Sequence, residues 1–444
     1  MSDSTIAFHN PAFGKKPAFC RFNGGHLTSD SGLLWLSEVD RQLGLSARLA
    51  ATILDKRQPG KVVHTTQDII AARIFAIAAG YEDANDLNHL NRDPALQTAC
   101  GKAIGTKLAS QPTISRFENE IKISDVVAMA KELSRIVIEQ LPSDSRSVCL
   151  DIDASVDPCH GQQQFQYYNG FYKMHCYLPL YLHITGNDGQ QRLMSALLRR
   201  GNAGACRGMF GLLRRAILLI RERFPDIDIT LRADGAYGVK EVLRFCRRYN
   251  LSYILGLRGN ITLATETWMT ALQVETQCRI SGQDQKEFID FDYKAKSWIA
   301  TERIVAKVET VNGARNIRYV ITDNQSCLPE LVYQAYCLRG EQENRIKEMK
   351  LDLSAGRTSC HDFLANQFRL LLHAAACVLW RLVQDALIDS KWDKTQIGTL
   401  RLMVIKIAAK VIKTTRCLHI QLPTACPHQG LWLYLQKRLL RQPG

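Results

Sequence analysis

The 444-residue sequence lacks several features that mark common protein classes. Its 14 cysteines are scattered and never form a CxxC pair, so the sequence indicates neither a zinc site nor a disulfide framework, and we expect reduced thiols. It contains no internal repeat and no low-complexity tract. The first residues, MSDSTIAFHNPAF, lack the apolar core of a secretory signal, so we expect a cytoplasmic protein.

Acidic residues are missing from the C-terminal end, where none occurs from Lys394 onward. The net charge of +14 is concentrated there: residues 335–444 hold 17 Lys and Arg against eight Asp and Glu, whereas residues 1–145 hold 16 of each. A basic surface of this kind is typical of proteins that bind a polyanion, most often nucleic acid. We therefore expect the C-terminal segment to contact phosphate groups.

Charge-free apolar runs of membrane-spanning length are also missing. The most apolar run, FLANQFRLLLHAAACVLWRLV at 363–383, contains Arg369, His373 and Arg381. These polar side chains predict a buried helix rather than a membrane span. We expect His373 to be a hydrogen-bonded core residue rather than a ligand.

Hydrophobic periodicity changes several times along the chain and predicts an α/β protein with a mixed sheet and a mainly β insertion. Strand-like runs occur at SVCLDIDAS (147–155) and DIDITLRADGAYG (226–238). The stretch RIVAKVETVNGARNIRYVITD (303–323) predicts a hairpin that turns at Asn312–Gly313. The expected segments are a helical N-terminal domain at 1–145, two parts of an α/β domain at 146–259 and 326–390, a β-rich insertion at 260–325 and a basic helical segment at 391–444.

One stretch of the N-terminal domain is compatible with DNA contact. LASQPTISRFENEI (108–121) predicts a turn followed by a helix that exposes Ser115, Arg116 and Asn119. The second helix of a helix-turn-helix presents polar residues to DNA in this way. Many turns before helices share the pattern, so the DNA-binding N-terminal domain is a hypothesis.

Two acids close predicted strands at the edge where an α/β sheet binds ligands. Asp153 ends CLDID directly before a small polar turn, and Asp234 ends ITLRAD before the turn Gly235–Gly238. Either acid alone is also typical of a side chain that caps a turn. Asp151 shares a face with Asp153, so the sequence leaves open which of the two is functional, and the strand-end position favours Asp153.

A third acid lies in the segment YCLRGEQENRIKEMK at 336–350. If this segment is helical, each residue turns the chain by about 100°, and Arg339, Glu343 and Lys350 all fall within roughly 60° of Tyr336. The other two acids of the segment project toward the far side. The spacing therefore selects Glu343, although a solvated helix face with ion pairs shows the same pattern.

The three selected carboxylates, Asp153, Asp234 and Glu343, repel one another unless a cation lies among them. Oxygen ligands in this number suit Mg²⁺ or Mn²⁺. Two such ions, about 4 Å apart, activate a water or a 3′-hydroxyl and stabilise the leaving oxygen of an in-line displacement. Tyr336, Arg339 and Lys350 form a polar stripe with Glu343 on one helix face, and they would then lie along DNA phosphates. The residues alone thus predict a metal-dependent enzyme that acts on nucleic acid.

At these motifs the chain resembles the DDE transposases of bacterial insertion sequences, specifically the insertion-sequence 1380 family, which is related to the insertion-sequence 4 group. The resemblance rests on LDIDASVDPCHGQQQFQYYNGFYKMHCYLPL (150–180), LRADGAYG (231–238) and the pattern Y-xx-R-xxx-E-xxxxxx-K at 336–350. It extends through GRTSCHDFLANQFRLLLHAAA (356–376) and covers residues from roughly 20 to the C-terminal end.

The resemblance implies a ribonuclease-H-like catalytic domain interrupted by the β insertion, and cut-and-paste transposition with two Mg²⁺ or Mn²⁺ ions. The implied partner is double-stranded DNA, both the terminal inverted repeats and the target, held by a homodimer in the bacterial cytoplasm near the nucleoid. The implied catalytic and metal-binding residues are Asp153, Asp234 and Glu343, and the implied DNA-binding residues are Tyr336, Arg339 and Lys350.

Two other activities remain open at this point. A nuclease or junction resolvase on the same fold would cut DNA without joining strands. A catalytically silent DNA-binding protein derived from a transposase is the other alternative, and the intact acids argue against it. Within the first motif, Lys173 and His175 either reach DNA or serve as packing and hydrogen-bonding groups, and we favour the second role.

Overall fold

The computed structural model of the protein describes residues 5–8 and 16–440, so the outermost parts of the predicted 1–145 and 391–444 segments lie outside the described residues. The described chain forms two compact units. The first comprises the N-terminal residues to Ser46, Lys56–Ser115 and the residues from Leu382 onward. The second comprises Ala47–Asp55 and Arg116–Arg381, and it contains all the predicted catalytic residues.

The described part of the N-terminal third is largely helical, as its apolar periodicity predicts, and contains three short strands. Its elements are β1 (Ile6–Phe8), β2 (Ala18–Cys20), β3 (Leu27–Thr28), α1 (Leu33–Leu43), α2 (Leu45–Ala51), α3 (Thr66–Ala78), α4 (Leu87–Leu90), α5 (Pro94–Ala99), α6 (Gln111–Glu120) and α7 (Ile123–Glu139). Helix α3 begins with a capping box, in which Thr65 and Asp68 each accept the backbone N–H of the other.

The remaining elements include runs of consecutive strands and runs of consecutive helices. They are β4 (Ser147–Ala154), β5 (Asp157–Pro158), β6 (Tyr167–Asn169), β7 (Met174–Tyr177), β8 (Leu180–Thr185), β9 (Gln191–Leu197), α8 (Met209–Arg223), β10 (Asp228–Ala233), α9 (Lys240–Arg248), β11 (Ser252–Leu257), α10 (Ile261–Glu266), α11 (Trp268–Ser281), β12 (Lys286–Tyr293), β13 (Glu302–Val311), β14 (Ala314–Thr322), α12 (Pro329–Cys337), α13 (Gly340–Leu351), α14 (Phe363–Asp385), α15 (Ile397–Leu400), β15 (Ala409–Lys413), β16 (Leu418–Gln421) and α16 (Gln429–Leu439).

An eight-stranded mixed sheet forms the centre of the second unit, in the order β12-β13-β14-β11-β10-β4-β8-β9. Strands β4, β10 and β11 are parallel, and the other neighbours are antiparallel. Leu150, Ile152 and Leu231 are fully buried on the two central strands. Strands covered on both faces have apolar side chains in both directions, which is why β4 does not show strict alternation.

The region between residues 260 and 325 confirms one prediction and corrects another. The hairpin prediction is confirmed: β13 and β14 pair around Asn312 and Gly313, whose φ angles of 50° and 75° suit a tight hairpin turn. The expectation of a mainly β insertion overlooked helices α10 and α11, which open the region. Asn260 begins α10 by accepting the N–H of Leu263.

Helix α14 confirms the prediction of a buried helix in the most apolar run. Among the described residues it is the one helix with the length and composition to cross a membrane, and 89% of its most apolar window is buried inside the protein. His373 lies within it and is also buried. Burial to this degree is typical of the core helix of a globular unit.

The C-terminal segment is not wholly helical, contrary to expectation. Strands β15 and β16 form a small sheet with β3, in the order β16-β15-β3, within the first unit. Ala409 and Val411 are buried and Lys410 between them is exposed. This two-residue period is a strand pattern that the surrounding apolar run obscured.

Candidate active site

Neighbouring parallel strands bring Asp153 and Asp234 to one edge of the sheet. β4 and β10 pair in register as far as Ile152 and Ala233, so the next position places Asp234 beside Asp153. Each carboxylate is held by its own turn: Asp153 Oδ1 accepts the N–H of the next residue at 2.8 Å, and Asp234 Oδ1 accepts the N–H two residues further on at 2.9 Å. The structure therefore places these two predicted residues together.

Gly256 on β11 allows the turn after Asp234 to lie close against this strand. A Cβ atom at Gly256 would lie 2.6 Å from Gly235 N, 2.7 Å from Tyr336 Oη and 3.0 Å from the carbonyl carbon of Asp234. Two of these neighbours are backbone atoms, which cannot move aside as a flexible side chain can. Gly256 thus lets the Asp234 turn and the Tyr336 hydroxyl meet over one strand.

Asp151, the alternative first acid, is bound by other side chains inside the sheet. It is fully buried, and Arg232, its partner in register on β10, binds both of its oxygens through Nε at 2.6 Å and Nη2 at 2.8 Å. Gln191 Nε2 donates a further hydrogen bond to Asp151 Oδ2 at 2.8 Å. A bidentate buried pair of this kind leaves no oxygen for a ligand at the sheet edge, which supports Asp153 as the functional acid.

The predicted helix at 336–350 is divided into α12 and α13, which are joined by Leu338 and Arg339. Both linking residues keep right-handed helical backbone angles, with φ of −61° and −57°. The side-chain stripe therefore continues across the division. Gly340 is the first residue of α13, and a Cβ there would meet no atom within 4 Å. The usual cost of glycine inside a helix does not apply at this end position.

Arg339 connects two of the predicted acids. Its Nη1 lies 3.2 Å from Asp153 Oδ2 and its Nη2 lies 2.6 Å from Glu343 Oε1. The side chain of Glu343 is 46% exposed, whereas those of Arg339 and Asp153 are 17% and 16% exposed. The guanidinium thus bridges a mostly buried carboxylate and a half-exposed one, and its single positive charge offsets part of their negative charge.

Helix α13 is attached to β4 by a residue that sequence reasoning missed. Gln342 is fully buried, and its Nε2 donates to the backbone carbonyl of Asp151 at 2.9 Å and lies 3.2 Å from His183 Nδ1. Burial lowers the pKa of His183 to about 3, so its ring is neutral. The only sequence signal for this contact was a glutamine directly before Glu343.

The electrostatics show an incompletely compensated negative charge at Asp153. Burial raises its pKa to about 6, the neighbouring charge of Asp234 adds to the rise, and Arg339 opposes it. Burial disfavours the charged form of Arg339, but Asp153 and Glu343 together raise its pKa above the ordinary value. One guanidinium is therefore insufficient to balance the three carboxylates, and a further cation would lower the energy of the charged site.

Among the described residues, no group of three or more His, Cys, Asp or Glu side chains is arranged as a metal cluster. The donor chemistry nevertheless fits a hard divalent cation, since Asp153, Asp234 and Glu343 supply oxygen only. Arg339 lies between Asp153 and Glu343. These two acids would have to release the guanidinium before both could bind one ion.

Tyr336 and Lys350 are oriented differently from each other. Tyr336 packs with its hydroxyl over Gly256, beside the Asp234 turn, and burial raises the pKa of its phenol. The Lys350 ammonium instead donates to Ser155 Oγ at 3.0 Å and to the Val156 carbonyl. The stripe therefore directs Tyr336 and Arg339 at the sheet edge, while Lys350 is bound to the chain just after Asp153.

Other residues considered for DNA contact lie on the surface of the described chain. Lys173 and His175 are exposed, and His175 Nδ1 is 2.6 Å from Gln166 Oε1. In α6, Arg116 and Asn119 are exposed and Ser115 is half-buried. The contact of His175 with Gln166 fits the hydrogen-bonding role that we favour for it. Exposure is compatible with DNA contact by α6, which stays a hypothesis.

A sheet edge that brings two aspartates beside a helix carrying a glutamate is the arrangement expected of a DDE nucleic-acid enzyme. The family model described as transposase DDE domain group 1 matches residues 10–443, nearly the whole chain. The protein therefore belongs to this family of DDE transposases. Membership of the family implies DNA as the partner. DDE transposases typically use divalent metal ions. They are normally soluble and cytoplasmic. No match was found among curated proteins.

Proposed function

We propose that the protein is the transposase of an insertion sequence of the 1380 family and moves its element by cut-and-paste transposition. The observation that carries the proposal is the convergence of Asp153, Asp234 and Arg339-bound Glu343 at one edge of the sheet. The reaction has two stages, hydrolysis of phosphodiesters at the element ends and transfer of the freed 3′-hydroxyls to target DNA.

The strand order supports a ribonuclease-H-like catalytic domain. Strands β9, β8 and β4 form an antiparallel meander, and β10 and β11 extend it in parallel with β4. The first acid, Asp153, lies at the end of β4, and the second, Asp234, directly follows the adjacent parallel strand β10. Strands β12 to β14 continue this sheet beyond β11.

Asp153, Asp234 and Glu343 are the residues that would hold two Mg²⁺ or Mn²⁺ ions. When bound, these ions supply a nucleophile at neutral pH and neutralise the leaving oxygen. The chain would supply the geometry: two strand ends hold the aspartates, and α13 holds the glutamate beside Arg339, which also reaches Asp153. Arg339, once released from Glu343, is placed to bind a phosphate with two parallel hydrogen bonds.

DNA binding in the proposal draws on both the site and the basic surface. The Tyr336 hydroxyl lies beside the Asp234 turn, within reach of a backbone that approaches the acids. The nine Lys and Arg residues from Lys394 onward provide non-specific attraction for phosphate. Joining both ends of one element requires that they be held together, so we propose a homodimer on DNA.

The test uses duplexes that carry the two ends of the element flanking the gene, labelled on either strand, with Mg²⁺. The proposal predicts cleavage at the element boundary, followed by joining of the labelled 3′ end to a supercoiled target plasmid. Cleavage without joining, at any Mg²⁺ or Mn²⁺ concentration, would favour a nuclease or resolvase. Binding without cleavage would favour a silent DNA-binding protein.

A further inference from the structure

Lys350 is fully engaged by the chain that follows Asp153. Its ammonium donates to Ser155 Oγ at 3.0 Å and to the carbonyl of Val156, and it lies 3.2 Å from Asp157 Oδ1. An ammonium group has three donors. Two of the Lys350 donors are hydrogen-bonded to Ser155 and Val156, and the Asp157 carboxylate lies at ion-pair distance. The group is thus satisfied by protein, unlike a lysine that waits in solvent for a phosphate.

The acceptor side of this contact is buried. Asp157 is fully buried on β5, and burial raises its pKa to about 6 against the opposing effect of Lys350. A Cβ at Gly356 would lie 3.2 Å from Asp157 Oδ1 and 3.5 Å from Lys350 Cε, so the chain closes over the pair at that glycine. A buried carboxylate is costly without a counter-ion, and Lys350 is the cation that faces it.

The pair lies at one end of the element that carries Glu343. Glu343 is in the first turn of α13 and Lys350 is in its last turn. At the N-terminal end, Gln342 binds the backbone of β4 at Asp151. At the C-terminal end, Lys350 binds the turn that follows β4. The helix is therefore attached to β4 on both sides of Asp153.

We propose that Lys350 and Asp157 are positioning residues, whose ion pair fixes the separation of Asp153 and Glu343 so that both bind the same metal centre. This inference rests on the proposed function, because it assigns the pair to the metal site of that reaction. It gives Lys350 a role other than the phosphate contact that its place in the pattern Y-xx-R-xxx-E-xxxxxx-K implies. The role also explains why Asp157, four residues beyond Asp153, is a buried acid that is paired with a lysine.

The first experiment measures Mn²⁺ affinity of the DNA-free protein for wild type, Lys350→Met and Asp157→Asn. Partners that orient metal ligands typically contribute about 10- to 100-fold to metal affinity. Both variants are expected to bind Mn²⁺ at least about tenfold more weakly. Lys347→Met, which removes an exposed lysine from the same helix, is the matched control and is expected to bind Mn²⁺ as wild type does.

A second measurement separates positioning from phosphate contact. Affinity for an element-end duplex is measured without metal over a range of salt concentrations. Positioning predicts unchanged affinity and salt slope in both variants. A phosphate contact predicts that Lys350→Met alone weakens binding and reduces the salt slope by about 0.9, and that result would overturn the proposal.

Ser155→Ala guards against misfolding of the charge variants. It removes one acceptor of the Lys350 ammonium and leaves the buried ion pair in place, and we expect a several-fold loss of Mn²⁺ affinity with an unchanged thermal midpoint. If wild type binds Mn²⁺ and all three variants bind it equally well, the positioning role alone is overturned. Wild type that binds no Mn²⁺ at all would instead overturn the proposed function.

Discussion

Arg339 donates to Asp153 across the sheet edge, with Nη1 and Oδ2 at 3.2 Å, and its other terminal nitrogen holds Glu343. The same side chain that would grip DNA therefore occupies the space between two proposed metal ligands. Metal binding and release of Arg339 are coupled by this geometry, because both cations compete for the same two carboxylates. Removal of the Arg339 guanidinium should therefore change the affinity for metal and the affinity for DNA in opposite directions, and both affinities can be measured.

Replacing Arg339 by Gln is expected to raise the Mn²⁺ affinity of the DNA-free protein and to lower its affinity for an element-end duplex. The metal gains because no guanidinium has to be displaced, and DNA loses one charged contact, with a salt slope smaller by about 0.9. Titrations of Mn²⁺ and of duplex at several salt concentrations measure both changes. Weaker Mn²⁺ binding would show that Arg339 instead preorganises the carboxylates.

Metal affinity is expected to depend on pH through Asp153. Its folded pKa of about 6 lies above the ordinary value, so the acid holds its proton until the pH rises through 6. Binding an ion displaces that proton, so Mn²⁺ affinity is expected to rise about tenfold per pH unit below 6 and to level off above about 7. Glu341→Gln should keep this profile. An affinity that is constant between pH 5 and 7 would contradict the assignment.

The two aspartates of β4 are expected to respond in opposite ways to replacement by Asn. Asp151→Asn breaks a buried bidentate pair with Arg232 and should lower the free energy of unfolding by about 3–5 kcal/mol. Asp153→Asn removes a charge that burial disfavours, so at pH 8 the urea midpoint should be equal to or above that of wild type.

The sign of the second effect follows from the raised pKa. Stability from protonated Asp153 is fully present below its unfolded pKa and is lost as the pH rises through about 6, so the advantage of Asn should vanish near pH 4. Urea unfolding at pH 4 and pH 8 measures it. Asp151→Asn with wild-type stability and no cleavage would instead identify Asp151 as the functional acid.

Sequence patterns located the strand-end acids but could not separate Asp151 from Asp153. Alternation places both on one face, and contacts from other parts of the chain, such as that of Arg232 with Asp151, distinguish them. Helical spacing likewise put Lys350 on the face of Glu343. Its partner Asp157 is 193 residues earlier in the chain, and no local pattern records such a contact.

Some elements were beyond the reach of periodicity for local reasons. Strand β9 has the sequence QRLMSAL, which contains none of the β-branched or aromatic residues that mark strands. Strands β15 and β16 are only five and four residues long and lie among apolar residues that also suit helices. The pairing of β15 with β3, from the other end of the chain, depends on tertiary structure alone.

Gly256→Ala is expected to disrupt the site through sterics rather than chemistry. The new Cβ would meet backbone atoms of the Asp234 turn and the Tyr336 hydroxyl at 2.6–3.0 Å, so the turn has to shift. We expect a loss of about 1–3 kcal/mol in the free energy of unfolding, together with a large fall in cleavage rate. Gly340→Ala is the matched control, because a Cβ there meets nothing within 4 Å. Wild-type cleavage by Gly256→Ala would show that the turn is not tightly constrained.

The most direct test of the proposed catalytic triad compares Glu343→Gln with Glu341→Gln in cleavage of an element-end duplex with Mg²⁺. Both changes are isosteric, both residues lie in the first turn of α13, and both are exposed, whereas Glu348 is buried beside Arg345 and would make a poor control. Glu343→Gln is expected to bind the duplex but to lose cleavage and joining, while Glu341→Gln is expected to retain both. Cleavage by Glu343→Gln at the wild-type rate would contradict the assignment of Glu343 to the catalytic triad.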